Sequence, residues 1–165
     1  MTTDELFKAG RLSDAIEAQN GQVKARPADQ DARFLLFVLL CFAGELERAE
    51  RQLDVLGNQD DKIKLGSVLY RSLLAAEMER RLVFDESGKP VLPPDPPGNL
   101  ELRVAALEAL RAGDANAASQ RVAEAVDATG EISGQLNGEP FRGLRDYDDL
   151  LGTVIEIFAG GRYLW

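Results

Sequence analysis

The side chains best placed for chemistry are three neighbouring carboxylates, Asp146, Asp148 and Asp149. Hard oxygen donors at that spacing could hold a divalent cation and, through it, activate a water for hydrolysis. The stretch lacks the spaced glycine and distal glutamate of an EF-hand loop, so a solvated loop or a helix N-terminal cap is the alternative use of the same residues. The rest of the catalytic repertoire is thin. Histidine is absent, which removes the commonest general base and the commonest metal ligand. No GxxxxGK[ST] or GxGxxG phosphate loop is present, and no Ser-His-Asp or Cys-His set can be assembled. The single cysteine, Cys41, has no partner for an internal disulfide and sits in an apolar run, where a thiol is buried and inert. These residues point away from an enzyme, and they call for no cofactor and no metal.

Charge and hydropathy narrow the partners. The 165 residues carry a net charge of −9, a field that repels nucleic acid and anionic membrane alike. The opening MTTDELFKAGRLSDA is acidic and has no apolar core, so it is not a signal peptide. The longest apolar run, Phe34 to Phe42, has nine residues, against the roughly 20 needed to cross a bilayer. A cytoplasmic location fits these features.

The elements that position these residues follow from a repeat. FKAGRLSDAIE, Phe7 to Glu17, realigns with CFAGELERAER, Cys41 to Arg51, at a shift of 34 residues. RAGDANAASQ, Arg111 to Gln120, repeats the pattern 69 residues beyond the second copy. The physics behind A-G-x-[LA]-x-x-A is that glycine ends a helix in the left-handed region, and an alanine five residues later lets the next helix approach. Gly10, Gly44 and Gly113 should therefore take positive φ, and Ala15, Ala49 and Ala118 should be buried. The spacing resembles the tetratricopeptide repeat, and Pro27 stands where that repeat places its closing proline. The large aromatics of the repeat are mostly missing, and Asp61 stands where a second such proline would fall.

Helices are expected near 3–9, 12–25, 30–43, 46–56, 61–84, 98–112 and 115–129. Residues 85–99 hold five of the seven prolines and form a stiff loop interrupting the array. TVIEIF and RYLW around Ala159-Gly160-Gly161 read as a β-hairpin. The expected fold is mainly α, a tetratricopeptide-like array of about seven helices with a short C-terminal β-hairpin. It divides into a helical-repeat domain over 1–130 and a linker with hairpin over 131–165, the latter opening a further C-terminal domain.

The apolar helix around Phe34 to Phe42 needs cover on every side. On the tetratricopeptide register its concave side would present Phe34, Val38, Cys41 and Phe42, with Leu65, Val68 and Ala75 from the following helix. Such a trough takes an amphipathic helix from another protein. The other reading is that the helix is plain core.

One family combines these features. The residues Phe141, Gly143, Leu144, Arg145, Asp146, Asp148, Asp149 and Leu150, then Glu156, Gly161, Arg162, Tyr163 and Trp165, follow an acidic repeat region and a proline-rich loop. In this the chain resembles the ImpE family, also called SciE-type or TagJ. The resemblance implies an accessory protein of the bacterial type VI secretion system, a non-catalytic cytosolic adaptor. Its implied partners are the small sheath subunit TssB, bound through a helix near its N-terminus, and the ATPase ClpV. It brings no catalytic residues with it. Two other readings stay open: a metal-dependent hydrolase built on Asp146 to Asp149, and a tetratricopeptide-like peptide-binding or chaperone module outside secretion.

Overall fold

Three turns share one hydrogen-bond pattern, and they set the helical layout. At the first, the Gly10 amide donates to the Phe7 carbonyl at 2.9 Å and the Arg11 amide to the Leu6 carbonyl at 2.9 Å. The Gly44/Glu45 and Gly113/Asp114 amides do the same to Cys41/Leu40 and Leu110/Ala109. This is the Schellman arrangement, which satisfies the last helical carbonyls and requires a left-handed residue. Gly10, Gly44 and Gly113 supply it, at φ 71°, 74° and 79°. Ala15, Ala49 and Ala118 are buried, as the pattern requires.

The computed structural model describes residues 1–57, 61–143, 148, 150–152 and 154–165, with the backbone alone for 61–65. Among them are seven helices: α1 (Thr3–Lys8), α2 (Leu12–Ala25), α3 (Gln30–Phe42), α4 (Leu46–Gly57), α5 (Asp61–Asp85), α6 (Gly98–Arg111) and α7 (Ala115–Thr129). They are the helices expected from sequence, with ends within one residue. Four strands follow: β1 (Ser133–Leu136), β2 (Glu139–Arg142), β3 (Ile157–Ala159) and β4 (Arg162–Leu164). The chain divides into two compact units, Met1–Ala75 and Ala76–Trp165.

In the first unit α1 to α4 pack in sequence order, the antiparallel staircase of a helical repeat. The starts are capped: Thr2 and Glu5 form a reciprocal capping box on α1, and the Asp29 side chain accepts from the Ala32 amide on α3. Leu6, Ile16, Leu36, Leu39, Leu40, Leu46, Leu53 and Leu56 form the core. A polar thread crosses it. The Thr3 hydroxyl donates to Gln19 Oε1 at 2.9 Å, and Gln19 Nε2 donates to the Ala32 carbonyl at 2.7 Å. Both side chains are buried.

In the second unit α6 and α7 form a helical hairpin over Ala106, Ala118 and Ala125. A separate core gathers Val83, Leu107, Tyr163 and Trp165, with Phe84, Leu92, Val104, Leu150, Leu151 and Val154 against it. The expected hairpin is β3–β4, pairing Phe158 with Tyr163 across Gly160 and Gly161, at φ 58° and 75°. β1–β2 is a second hairpin within a stretch read from sequence as linker. It turns on Asn137 and Gly138, both at positive φ, the two-residue loop that matches strand twist. The proline-rich loop is also more than a spacer. The Val91 amide donates to the Tyr163 carbonyl and the Trp165 amide to the Val91 carbonyl, each at 3.1 Å, so one loop residue lies beside β4 as a third strand.

Candidate functional site

Helix α3 has an apolar residue at every position from Phe34 to Phe42, and the first unit covers only part of it. Leu36, Phe37, Leu39 and Leu40 are buried. Phe34 is 38 % exposed and Phe42 65 %, while Val38 and Cys41 are half-buried. Phe34, Val38 and Phe42 stand at i, i+4 and i+8, one stripe of the helix, exposed at its two ends and half-buried between them. Aromatic contacts extend the stripe to both sides. Phe42 meets Phe7 of α1 at a ring-centroid distance of 5.4 Å. Phe34 and Phe37 meet Tyr70 of α5 edge-on at 5.6 and 5.3 Å. Val68 and Leu69 of α5 are about as exposed as Phe42, Val68 at 59 %. Of the residues the sequence proposes for a partner groove, Phe34, Val38, Cys41 and Phe42 thus share one helix face, with Val68 on α5. The Leu65 side chain lies outside the described residues. Leu35, also exposed, was not singled out.

Beside Phe34 a cleft of about 230 Å³ opens between α3, α4 and α5, walled by Phe34, Leu53, Leu56 and Tyr70 with Asp31 at its rim. A wider groove of about 830 Å³ lies along α2 and the start of α4. Its lining mixes Glu17, Lys24, Glu45 and Arg48, and Arg48 is already paired with Glu45, so it has neither an apolar floor nor a single sign of charge. Burial pushes the Cys41 thiol above its ordinary pKa, which keeps it protonated and a poor nucleophile.

The carboxylate cluster resolves differently. Asp148 Oδ1 accepts from the Leu150 and Leu151 amides at 2.9 and 3.1 Å, closing a turn of an exposed loop rather than capping a helix. Asp146 and Asp149 lie outside the described residues. No group of three potential metal ligands occurs among the described residues.

The motif residues near the C-terminus meet partners that sequence reasoning did not find. Glu79 of α5 accepts from the Tyr163 amide at 2.6 Å and from Arg162 Nε at 2.8 Å. Arg80 donates to Glu156 at 3.0 Å and lies over the Phe84 ring. The Tyr163 hydroxyl donates to Glu156 and accepts from the Trp165 indole N–H. Burial together with the bond to Glu156 drives the Tyr163 phenol well above its usual pKa. Burial would raise the Glu79 carboxyl, but the Tyr163 amide and Arg162 outweigh it and hold it below the usual range. These pairings fasten the hairpin to the C-terminal part of α5.

A tetratricopeptide repeat model matches residues 6–76, the whole run of A-G turns in the first unit. Over all 165 residues the chain is 34 % identical to the type VI secretion system accessory component TagJ of Pseudomonas aeruginosa. The likeness to TagJ thus runs the whole length of this chain. The chain spans 59 % of that relative's length. The crystal structure of protein VPA1032 from Vibrio parahaemolyticus superposes with a TM-score of 0.88 at 24 % identity, over 98 % of this chain and 61 % of that one. That match shows a shared fold.

Proposed function

We propose that this chain is the helical-repeat part of a type VI secretion accessory protein. In this reading it is a non-catalytic cytoplasmic adaptor that holds the N-terminal helix of the small sheath subunit TssB and links it to the ATPase ClpV. The observation that carries the reading is the identity to TagJ along the whole of this chain. The apolar stripe of Phe34, Val38 and Phe42 supports it, because an amphipathic helix presents side chains at the same spacing. No described helix is long and apolar enough to cross a membrane, and the chain has no histidine for general-base work.

The test measures the affinity of a TssB N-terminal helix for four variants alongside their melting temperatures. An aromatic anchor at an interface centre is worth about 2 kcal/mol or more. Phe34→Glu and Val38→Glu should therefore weaken the helix about tenfold or more while staying folded. Leu36→Glu and Leu40→Glu bury a charge in the core and should unfold the protein. No binding to the unmodified chain overturns the sheath assignment. Normal binding by folded Phe34 and Val38 variants moves the site elsewhere.

A further inference from the structure

We propose that the cleft between α3, α4 and α5 is a socket for one large apolar side chain of an incoming helix. We assign to Asp31 at its mouth the selection of a helix with a lysine or arginine one turn from that anchor. The proposal rests on the adaptor reading and gives its site a chemical preference.

Size comes first. The cleft holds about 230 Å³, below the roughly 300–1,000 Å³ of sites for free small molecules. It suits a leucine, methionine or phenylalanine side chain delivered by a larger partner. The floor is preformed: Leu53 and Leu56 are buried, and the Phe34 and Tyr70 rings hold each other edge-on at 5.6 Å. Direction comes next. From Phe34 the apolar stripe continues through half-buried Val38 to Phe42, eight residues or about 12 Å along α3. A helix anchored in the socket and laid along that stripe meets it with residues spaced by one and two turns.

Charge supplies the preference. Among the described residues, Asp29 caps α3 and pairs with Arg26 at 2.9 Å, and Asp54 pairs with Arg71. Asp31 is exposed and has no ion-pair partner among the described residues. A cation arriving beside the anchor completes it, within the field of a chain with net charge −9.

Gly66 makes the test clean. It lines the cleft, and a Cβ built on it meets nothing within 4 Å. Gly66→Leu sets a side chain at the cleft, its Cβ in open space, and should block the socket and raise helix propensity in α5. The probes are two synthetic amphipathic helices of about five turns, long enough to hold helix in isolation. Each carries one phenylalanine anchor, with lysine or glutamate four residues away, and fluorescence anisotropy reads their affinity. The unmodified chain should prefer the lysine helix. Gly66→Leu should melt no lower and lose about tenfold or more in affinity. Asp31→Lys should reverse the preference towards the glutamate helix.

Failure of both helices to bind the unmodified chain, or equal binding by Gly66→Leu, overturns the socket. An unchanged preference in Asp31→Lys overturns the role of Asp31. A TssB N-terminal helix run in parallel separates the two readings. If it binds the unmodified chain and Gly66→Leu alike, the adaptor stands and the socket falls. If it binds neither while the lysine helix behaves as described, the socket stands and the sheath assignment falls.

Discussion

Glu79 shows how one carboxylate can hold a hairpin. It takes the Arg162 guanidinium and the Tyr163 amide at once, and its pKa is held down by them. A carboxyl with a depressed folded pKa stabilises the fold above the unfolded value of about 4.3 and loses that contribution as pH falls through the folded value. Acid should therefore loosen the second unit by protonating Glu79. Glu79→Gln keeps the shape and removes the charge, so its stability should fall less steeply between neutral and acid pH than that of the unmodified chain. Trp165, the chain's one tryptophan, sits in this core. Its fluorescence during denaturant melts at several pH values measures the difference, and parallel pH profiles would refute the role. Nothing periodic in the sequence points to this arrangement. Glu79 and Arg162 are 83 residues apart, and a charge on an amphipathic helix reads as solvated surface until its partner is seen.

At the level of elements, the A-G turn makes a sharper demand than any side chain in the helices it joins. Gly44 sits at φ 74°, where a β-branched residue is strained. Gly44→Val should cost more than about 1 kcal/mol, seen as a lower midpoint in a helix-monitored urea melt; an unchanged midpoint would refute it. The same turn explains why the helix layout was legible. Glycine marks each C-terminus, alanine marks each close approach, and both are local signals. β1–β2 was missed for a local reason too. Its residues are almost all exposed, so the alternation that announces a half-buried strand is absent, and only Asn137-Gly138 announced the turn. In the candidate groove, sequence identified an apolar helix and the stripe of Phe34, Val38, Cys41 and Phe42 along it. It could not supply the cleft, because Leu53 and Tyr70 reach it from two other helices.

Over the whole molecule, charge and exposed apolar surface oppose each other. The net charge of −9 keeps copies apart, and the sequence pI is about 4.6. Phe42, Val68 and Leu69 remain uncovered. Near the pI the repulsion vanishes and those surfaces should associate, so light scattering should peak close to pH 4.6. Phe42→Ser should lower that peak without moving it; an unchanged peak would clear the α3 stripe of self-association. The same unit answers a quieter problem, which is rotational phase. Alanine and leucine surfaces slide and turn past one another at small cost, so an apolar seam leaves several near-equal packings. The thread from Thr3 through Gln19 to the Ala32 carbonyl does not tolerate such drift. Turning α2 by one residue, about 100°, would strand a buried amide and hydroxyl at about 1–3 kcal/mol each. A few polar atoms thus work as the tooth of a gear, indexing three helices to one another so that the apolar stripe always faces the same way.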